Sequence, residues 1–285
     1  MTMDDPNLGA NAFYLSCHAV MLVPQLFLGF RYKTWGYLFG MFCGHVLEII
    51  GYVARVQIHY GHDQFTMYIV CLTIAPAFFS AAIYLCLARI ISVYGQNLSR
   101  FSPRTYTITF MISDFLALIL QAAGGAILGM KDASMSNTGL AVIKTGLGAH
   151  LAAIGIFVAL AAEFGFRTYR SQEQWDSRFS NLQQSRKFIS FLIGLAIATL
   201  SILIRTAFRV AELQDGFDSK LAKNEVAFII LEGVMVLVAT ICLTVWHPGL
   251  AFQGRWDEAD FQLGKGDKGG AFAKASSDPI PLNSV

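Results

Sequence analysis

The chain has 285 residues, 55% hydrophobic and only 14% charged, with a formal net charge of +2 and a mean hydropathy of +0.52. Soluble domains carry about 25% charged residues, so this composition excludes an ordinary water-soluble domain and carries no electrostatic signature of a nucleic-acid partner. Cys17, Cys43, Cys71, Cys86 and Cys242 all fall in apolar runs without a CxxC pair, which excludes a disulfide framework or a zinc knuckle.

The first stretch, with Asp4 and Asp5, lacks a basic n-region and a small-residue cleavage site. It reads as a short extracellular N-terminus over residues 1–11, and the first apolar run is expected to remain as a span. Seven runs near 12–30, 35–56, 66–92, 105–129, 140–164, 187–210 and 225–247 approach or exceed the ~20 apolar residues that cross a bilayer. Backbone cannot cross lipid unpaired, so each run is a helix, and residues 12–249 form one all-α, seven-helix transmembrane bundle. Arg31, Lys33, Arg100, Arg104, Arg167, Arg170, Arg178, Arg186 and Lys187 fall in loops on one side, together with Arg255, Lys265, Lys268 and Lys274 of the tail. The other side carries Lys131, Lys220 and Lys223. This asymmetry predicts the N-terminus outside and the C-terminus cytosolic, in a multi-pass protein of the plasma membrane. The sequon Asn97-Leu98-Ser99 then lies in a cytosolic loop and is expected to be unused. Residues 250–285, rich in Gly, Lys, Asp and Ser, read as a disordered cytosolic tail.

Charges inside spans are costly and normally face the bundle interior or a water-filled cavity. Helix 2 repeats Gly36, Gly40, Gly44 and Glu48 every four residues, a small-residue face that invites close helix packing, with Arg55 seven residues further on. Glu48 and Arg55 are therefore expected to be buried polar partners. Helix 3 contains Pro76, which removes one backbone hydrogen bond, then Tyr84 facing a prospective cavity, and Arg89, expected to snorkel to lipid phosphate. Helix 4 aligns Asp114, Gln121 and Gly125. Helix 5 aligns Gly146 and His150. Helix 6 carries the stripe Gly194, Ala198, Ser201, Arg205 and Arg209, and helix 7 carries Glu225 and Glu232. Depth, counted at about 1.5 Å per residue, places Asp114 and His150 near the midplane and the other charges toward the N-terminal side. Glu48, Asp114, Glu225 and Glu232 against Arg55, Arg205 and Arg209 come close to neutrality. Interhelical ion pairs alone would explain any one of these residues; the whole set predicts a polar cavity open to the outside. A slightly acidic cavity favours an amphiphile with a cationic or hydroxylated head, whereas Arg205 and Arg209 would favour a phosphate or carboxylate.

The stretch from Glu48 to Arg55 resembles the E-x-x-G-Y-x-x-R signature of the fungal lipid-translocating exporter family, the aminocholesterol-resistance (RTA-like) proteins. It brings Tyr52 into the candidate site. "APAFFSAAIYLCLARII", with Pro76, Tyr84 and Arg89, is similar to the family's helix 3. "SDFLALILQAAGG" is similar to its helix 4, and "RTAFRVAELQDG", with Arg205, Phe208, Arg209 and Glu212, to the end of its helix 6. Glu225 and His247-Pro248-Gly249 also fit. The resemblance covers residues 35–249 and departs from it at His150, often glutamine in the family, and at Glu232, commonly aspartate. It implies a seven-helix fungal membrane protein linked to translocation of lipids or amphiphiles and to resistance to toxic compounds.

The function expected is thus binding and translocation or export of an amphiphilic lipid, sphingoid-base-like or sterol-like, with no cofactor, no metal and no nucleic acid. The candidate ligand-binding residues are Glu48, Tyr52, Arg55, Tyr84, Asp114, Gln121, His150, Arg205, Arg209, Glu225 and Glu232. No Walker loop is present, so a gradient, protons or passive flow would drive movement. Two alternatives stay open: an intramembrane, metal-dependent lipid hydrolase built on His18, His45 and His150 with Glu48 and Asp114, and a lipid-sensing receptor. A reporter fused after Val285 should read cytosolic and one inserted near Ser136 extracellular; a tail outside the cell would reverse the charge-depth assignments.

Overall fold

The computed structural model describes residues 6–130, 133–214 and 225–259. Seven helices in it are long and apolar enough to cross a membrane, and no strand occurs among the described residues. They are α1 (Leu8–Arg31), α2 (Trp35–His59), α3 (Phe65–Tyr94), α4 (Pro103–Gly129), α5 (Ala133–Arg170), α6 (Arg186–Gln214) and α7. The last begins as Glu225–Phe228, widens into a π-helical stretch at Ile229–Val234 and continues as Met235–Val245. The chain is a multi-pass membrane protein. The expected spans agree in number and order, but α5 is far longer than its apolar run: 38 residues rise about 57 Å, well beyond the ~30 Å hydrocarbon core. Asp4, Asp5, Lys131, Lys220, Lys223, Lys265, Lys268 and Lys274, used in the loop-charge reading, lie outside the described residues.

Helix α1 is inverted relative to a helix of a soluble protein. Phe13, Val20 and Phe27 of α1 are more than half exposed, whereas its buried face is Asn11, Tyr14, His18, Gln25 and Gly29. With lipid as solvent, apolar side chains lose nothing by facing outward, and polar groups must find partners inside. Gln25 Nε2 accordingly donates to Thr244 Oγ1 of α7 at 2.9 Å, and the Tyr37 hydroxyl of α2 donates to the Leu243 carbonyl at 2.6 Å.

Glycines set the helix spacing. The α2 glycine face meets α3: a Cβ on Gly40 would sit 2.8 Å from the Phe78 carbonyl oxygen, and one on Gly44 would enter the Phe79 ring. At the α4–α5 seam, a Cβ on Gly124 would sit 2.7 Å from the Gly139 carbonyl oxygen and one on Gly146 2.8 Å from that of Ala117. Such close backbone approach replaces the hydrophobic driving force that lipid removes.

The end of the chain differs from expectation. Pro248–Ala251 form a short helix, capped by His247 Nδ1 accepting from the Gly249 amide at 3.1 Å. Phe252, Trp256 and Ala259 are buried, and the Phe252 ring packs edge-on to Phe188 and Trp256 at 5.2 and 5.1 Å. Arg89 donates to the Trp256 carbonyl and lies 4.1 Å over its ring. It clamps this segment instead of reaching lipid phosphate. The packed structure therefore continues ten residues past the expected onset of the tail, because an aromatic pair four residues apart finds the aromatic end of α6; residues 260–285 lie outside the described ones.

Gly40→Val and Gly124→Val should abolish a monodisperse, heat-stable species in detergent, since backbone oxygens cannot yield, while Gly155→Ala, whose Cβ meets nothing within 4 Å, should melt like wild type. Fluorescence-detected size exclusion after a heating series checks this; unchanged melting of Gly40→Val contradicts the packing.

Candidate functional site

The charged residues gather at the bundle end that carries the N-terminus. Arg55, near the end of α2, donates from Nε to Asn11 Oδ1 at 2.8 Å and from Nη2 to Glu225 Oε1 at 3.1 Å. Its guanidinium lies 3.8 Å from the Phe228 ring centroid and 4.9 Å from that of Tyr68, cation–π contacts strengthened by desolvation. Glu225 also accepts from the Asn7 amide at 3.1 Å. The expected Glu48–Arg55 partnership does not form. Seven residues separate them by about 10.5 Å along the helix, and Arg55 turns to α1 and α7 instead.

One turn deeper, Arg205 of α6 pairs with Glu232 and donates to the Leu72 carbonyl of α3. Pro76 explains that carbonyl: it has no N–H to offer the residue four positions earlier, which is Leu72. The broken helix bond becomes an acceptor for a buried guanidinium. Glu232 lies in the π-helical stretch, a feature frequent at functional sites. Gly233 beside it makes room for the Tyr14 ring, whose hydroxyl donates to the Ile229 carbonyl at 2.9 Å. Arg209 pairs with Glu212 three residues on and faces the Tyr68 ring at 5.7 Å.

Glu48 stands apart. It lies within electrostatic range of Arg205, Arg209 and Glu232, yet among the described residues no side chain forms an ion pair with it and its Oε1 has no hydrogen-bond partner. The Tyr52 hydroxyl, also near Glu48 and Glu232, is likewise unpartnered, and its ring stacks on Tyr14 at 5.4 Å and on His18 at 6.0 Å. Glu48, Tyr52, Arg55, Arg205, Arg209 and Glu232 are each exposed by 1% or less; Glu225, at 33%, is the cluster's contact with the exterior. None of them lines the cavities of about 860, 530 and 770 Å³ found elsewhere in the bundle. The polar site is closed in this structure.

Asp114, His150 and Tyr84 form a second group between α3, α4 and α5, with Gln121 about 10.5 Å further along α4 beside Gly146. His150 Nδ1 and Asp114 Oδ1 share a hydrogen bond of 2.9 Å. The Tyr84 hydroxyl faces Asp114, and its ring packs between Phe157 at 4.5 Å and Phe110 at 5.4 Å. Both amide atoms of Gln121 are buried and unpartnered. No hydrogen bond or ion pair joins this group to the arginines among the described residues, so the single cavity expected from sequence resolves into two sites. His18 and His45 pair separately, Nδ1 to Nδ1 at 3.1 Å. The three histidines of the hydrolase alternative thus do not converge, and no three His, Cys, Asp or Glu side chains among the described residues are placed to hold a metal.

The sequence reading of the candidate site passed over Asn11, Tyr14, Tyr68 and Phe228, and met Glu212 only through the family resemblance. For α1 a signal exists: its polar residues 11, 14, 18 and 25 repeat at helical spacing within an apolar run. Glu212 takes the place expected for Asp114, so the cluster still holds four carboxylates against three guanidiniums.

Breaking a buried pair by removing one partner costs about 3–5 kcal/mol, while replacing both by apolar residues is often neutral. Arg205→Met or Glu232→Met alone should therefore lower the melting temperature in detergent sharply, and the double variant should recover most of the loss. Additive losses contradict the pairing.

Residues 41–255 match the model of a family described as "RTA1 like protein". The sphingoid long-chain base transporter RSB1 of Saccharomyces cerevisiae is 33% identical over 282 residues, covering 88% of this chain and 74% of the relative. Protoporphyrin uptake protein 1 of the same yeast is 29% identical over 208 residues, covering 72% and 66%, and its protein RTM1 27% identical over 233 residues, covering 78% and 73%. No solved structure matches the chain. A family match over most of the chain, and a relative at this identity and coverage, place it: the chain belongs to the RTA1-like family.

Proposed function

We propose that this protein binds a single-chain amphiphile with a cationic, hydroxylated head and moves it across the plasma membrane, with the N-terminal end of the bundle outside, and so contributes to resistance to toxic amphiphiles. The observation that carries this reading is Glu48. Among the described residues, Arg55–Glu225, Arg205–Glu232 and Arg209–Glu212 form ion pairs, and Glu48 is a fourth carboxylate that forms none. With Glu48 ionised, the described residues of the cluster carry an excess of −1, which calls for a proton or a ligand ammonium. Near it, Nε and Nη1 of Arg205 and Nε and Nη2 of Arg209 have no acceptor among the described residues, and further out neither does Nη1 of Arg55. Hydroxyl oxygens beside the ammonium satisfy such donors. An amino-alcohol head, the chemistry named in the sphingoid-base transporter, meets both requirements.

The exchange of a proton for an ammonium at Glu48 supplies a way to couple movement to a gradient without nucleotide. The closed cluster then corresponds to an occluded state that opens outward past Glu225. Glu212, Tyr52 and Asn11 join the sequence-derived candidates as head-group residues, while Asp114, His150 and Tyr84 form a separate polar station near the midplane, with Gln121 further along α4.

Binding to matched lipids of one chain length, with amine, N-acetylated amine and phosphate heads, tests the reading. Wild type should prefer the amine, and Glu48→Gln should weaken amine binding about tenfold or more, equivalent to at least ~1.4 kcal/mol, while leaving the acetylated lipid unchanged. Preference for the phosphate, lost in Arg209→Gln, makes the arginines the head-group site and refutes it.

A further inference from the structure

A large apolar cavity lies away from the charge cluster, between α3, α5 and α6 in the half of the bundle near the C-terminal segment. Its volume is about 770 Å³, and Leu87 and Ile90 of α3, Phe157 and Gly165 of α5, and Leu195 and Ala196 of α6 form its walls. It reaches from Ile189 to Leu200 along α6 and from Ile83 to Tyr94 along α3, roughly 17 Å on either helix. That is about one leaflet of a ~30 Å hydrocarbon core. Tyr169, Ile189 and Leu200 on its edge are 75, 45 and 49% exposed, so the cavity opens sideways to lipid.

Its two ends differ. The end away from the midplane carries neutral hydrogen-bonding groups: Thr168, Gln172, Trp175 and Gln183. Trp175 Nε1 is committed to the Thr168 carbonyl at 2.9 Å and Gln183 Nε2 to the Val93 and Asp176 carbonyls. The Thr168 hydroxyl, on a residue only 6% exposed, has no partner. At the midplane end, Ile83, Phe157 and Thr199 are shared with a small void that Tyr84 also lines, while the Tyr84 hydroxyl turns away toward Asp114. Apolar walls one leaflet long, one open side and hydrogen-bonding groups at one end only match a single-chain amphiphile lying parallel to the helices. Its head rests at Thr168, at the depth where amphipathic Trp and Tyr side chains sit.

We infer that this slot is the membrane-side entry site of the protein, holding the aliphatic chain of the amphiphile with its polar head at Thr168 and its tail tip against Tyr84 and Phe157. The ligand class rests on the proposed function; the slot itself does not. Tyr84 and Phe157 then separate the entering chain from the Asp114–His150 station.

The test uses the full chain in lipid nanodiscs and a long-chain amino-alcohol carrying a mid-chain diazirine, with labelled peptides mapped by mass spectrometry. Label should concentrate on the α5 and α6 walls and resist excess diacyl phospholipid. Gly165→Phe should lower that labelling at least fivefold: Gly165 lines the slot and a Cβ there meets nothing within 4 Å, so added bulk narrows the opening without forcing the wall, and unchanged melting confirms the fold. If the phenylalanine variant melts early, Gly165→Leu is read in the same way. Label spread evenly over the lipid-exposed faces of α1 and α4, or slot labelling untouched by a well-folded Gly165 variant, overturns the slot. Loss of amine binding in Glu48→Gln with no slot labelling rejects the slot alone, whereas slot labelling with normal binding by Glu48→Gln rejects the charge reading alone.

Discussion

A guanidinium stripped of water and surrounded by lipid-facing helices must be given acceptors by the protein, and the arrangement around Arg205 shows how this chain does so. One acceptor is the carboxylate of Glu232, delivered by a π-helical stretch; the other is the Leu72 carbonyl, which Pro76 has released from the α3 backbone ladder. Three helices are tied together at one fully buried side chain. Gly51 lets α2 lie against the Leu72 side chain, so the same turn of α3 holds the helix that bears Glu48.

The rest of the cluster follows from the same rule. Each arginine takes one carboxylate, and aromatic rings fill the remaining surface: Tyr68 and Phe228 around Arg55, Tyr68 again beside Arg209. Buried ion pairs are rarely the cheapest way to hold helices together, and three pairs plus an unpaired Glu48 cost more than an apolar seam would. Under the proposed function, the bound head group offsets that cost. The slot between α3, α5 and α6 supplies what the cluster lacks, an apolar surface long enough for a tail and open to the bilayer.

Much of this was legible in the residues. Run length gave seven spans, and the glycine face of α2 and the stripe ending in Arg205 and Arg209 on α6 point inward as their spacing requires. Pro76 was readable as a lost hydrogen bond, but not its use, because the acceptor it frees is taken by a side chain 133 positions away in sequence. Pairing was the least legible: equal spacing on one face suggested Glu48 with Arg55, while helix rise keeps them apart and tertiary packing sends Arg55 to α1 and α7. The polar inner face of α1 was hidden by the apolar majority of that run. The close of the chain was masked by its Gly- and Lys-rich sequel, although Phe252 and Trp256 carried the packing signal.

The central claim is that one unpaired carboxylate in a closed, charge-rich cluster selects a cationic amphiphile. Quantitative mass spectrometry of the lipids retained by gently purified wild-type protein and by its Glu48→Gln variant addresses it most directly. Single-chain amines should be enriched on the wild type relative to the surrounding membrane and depleted on the variant, with diacyl phospholipids equal on both. Enrichment of anionic lipids, the same with and without the Glu48 charge, would contradict the account.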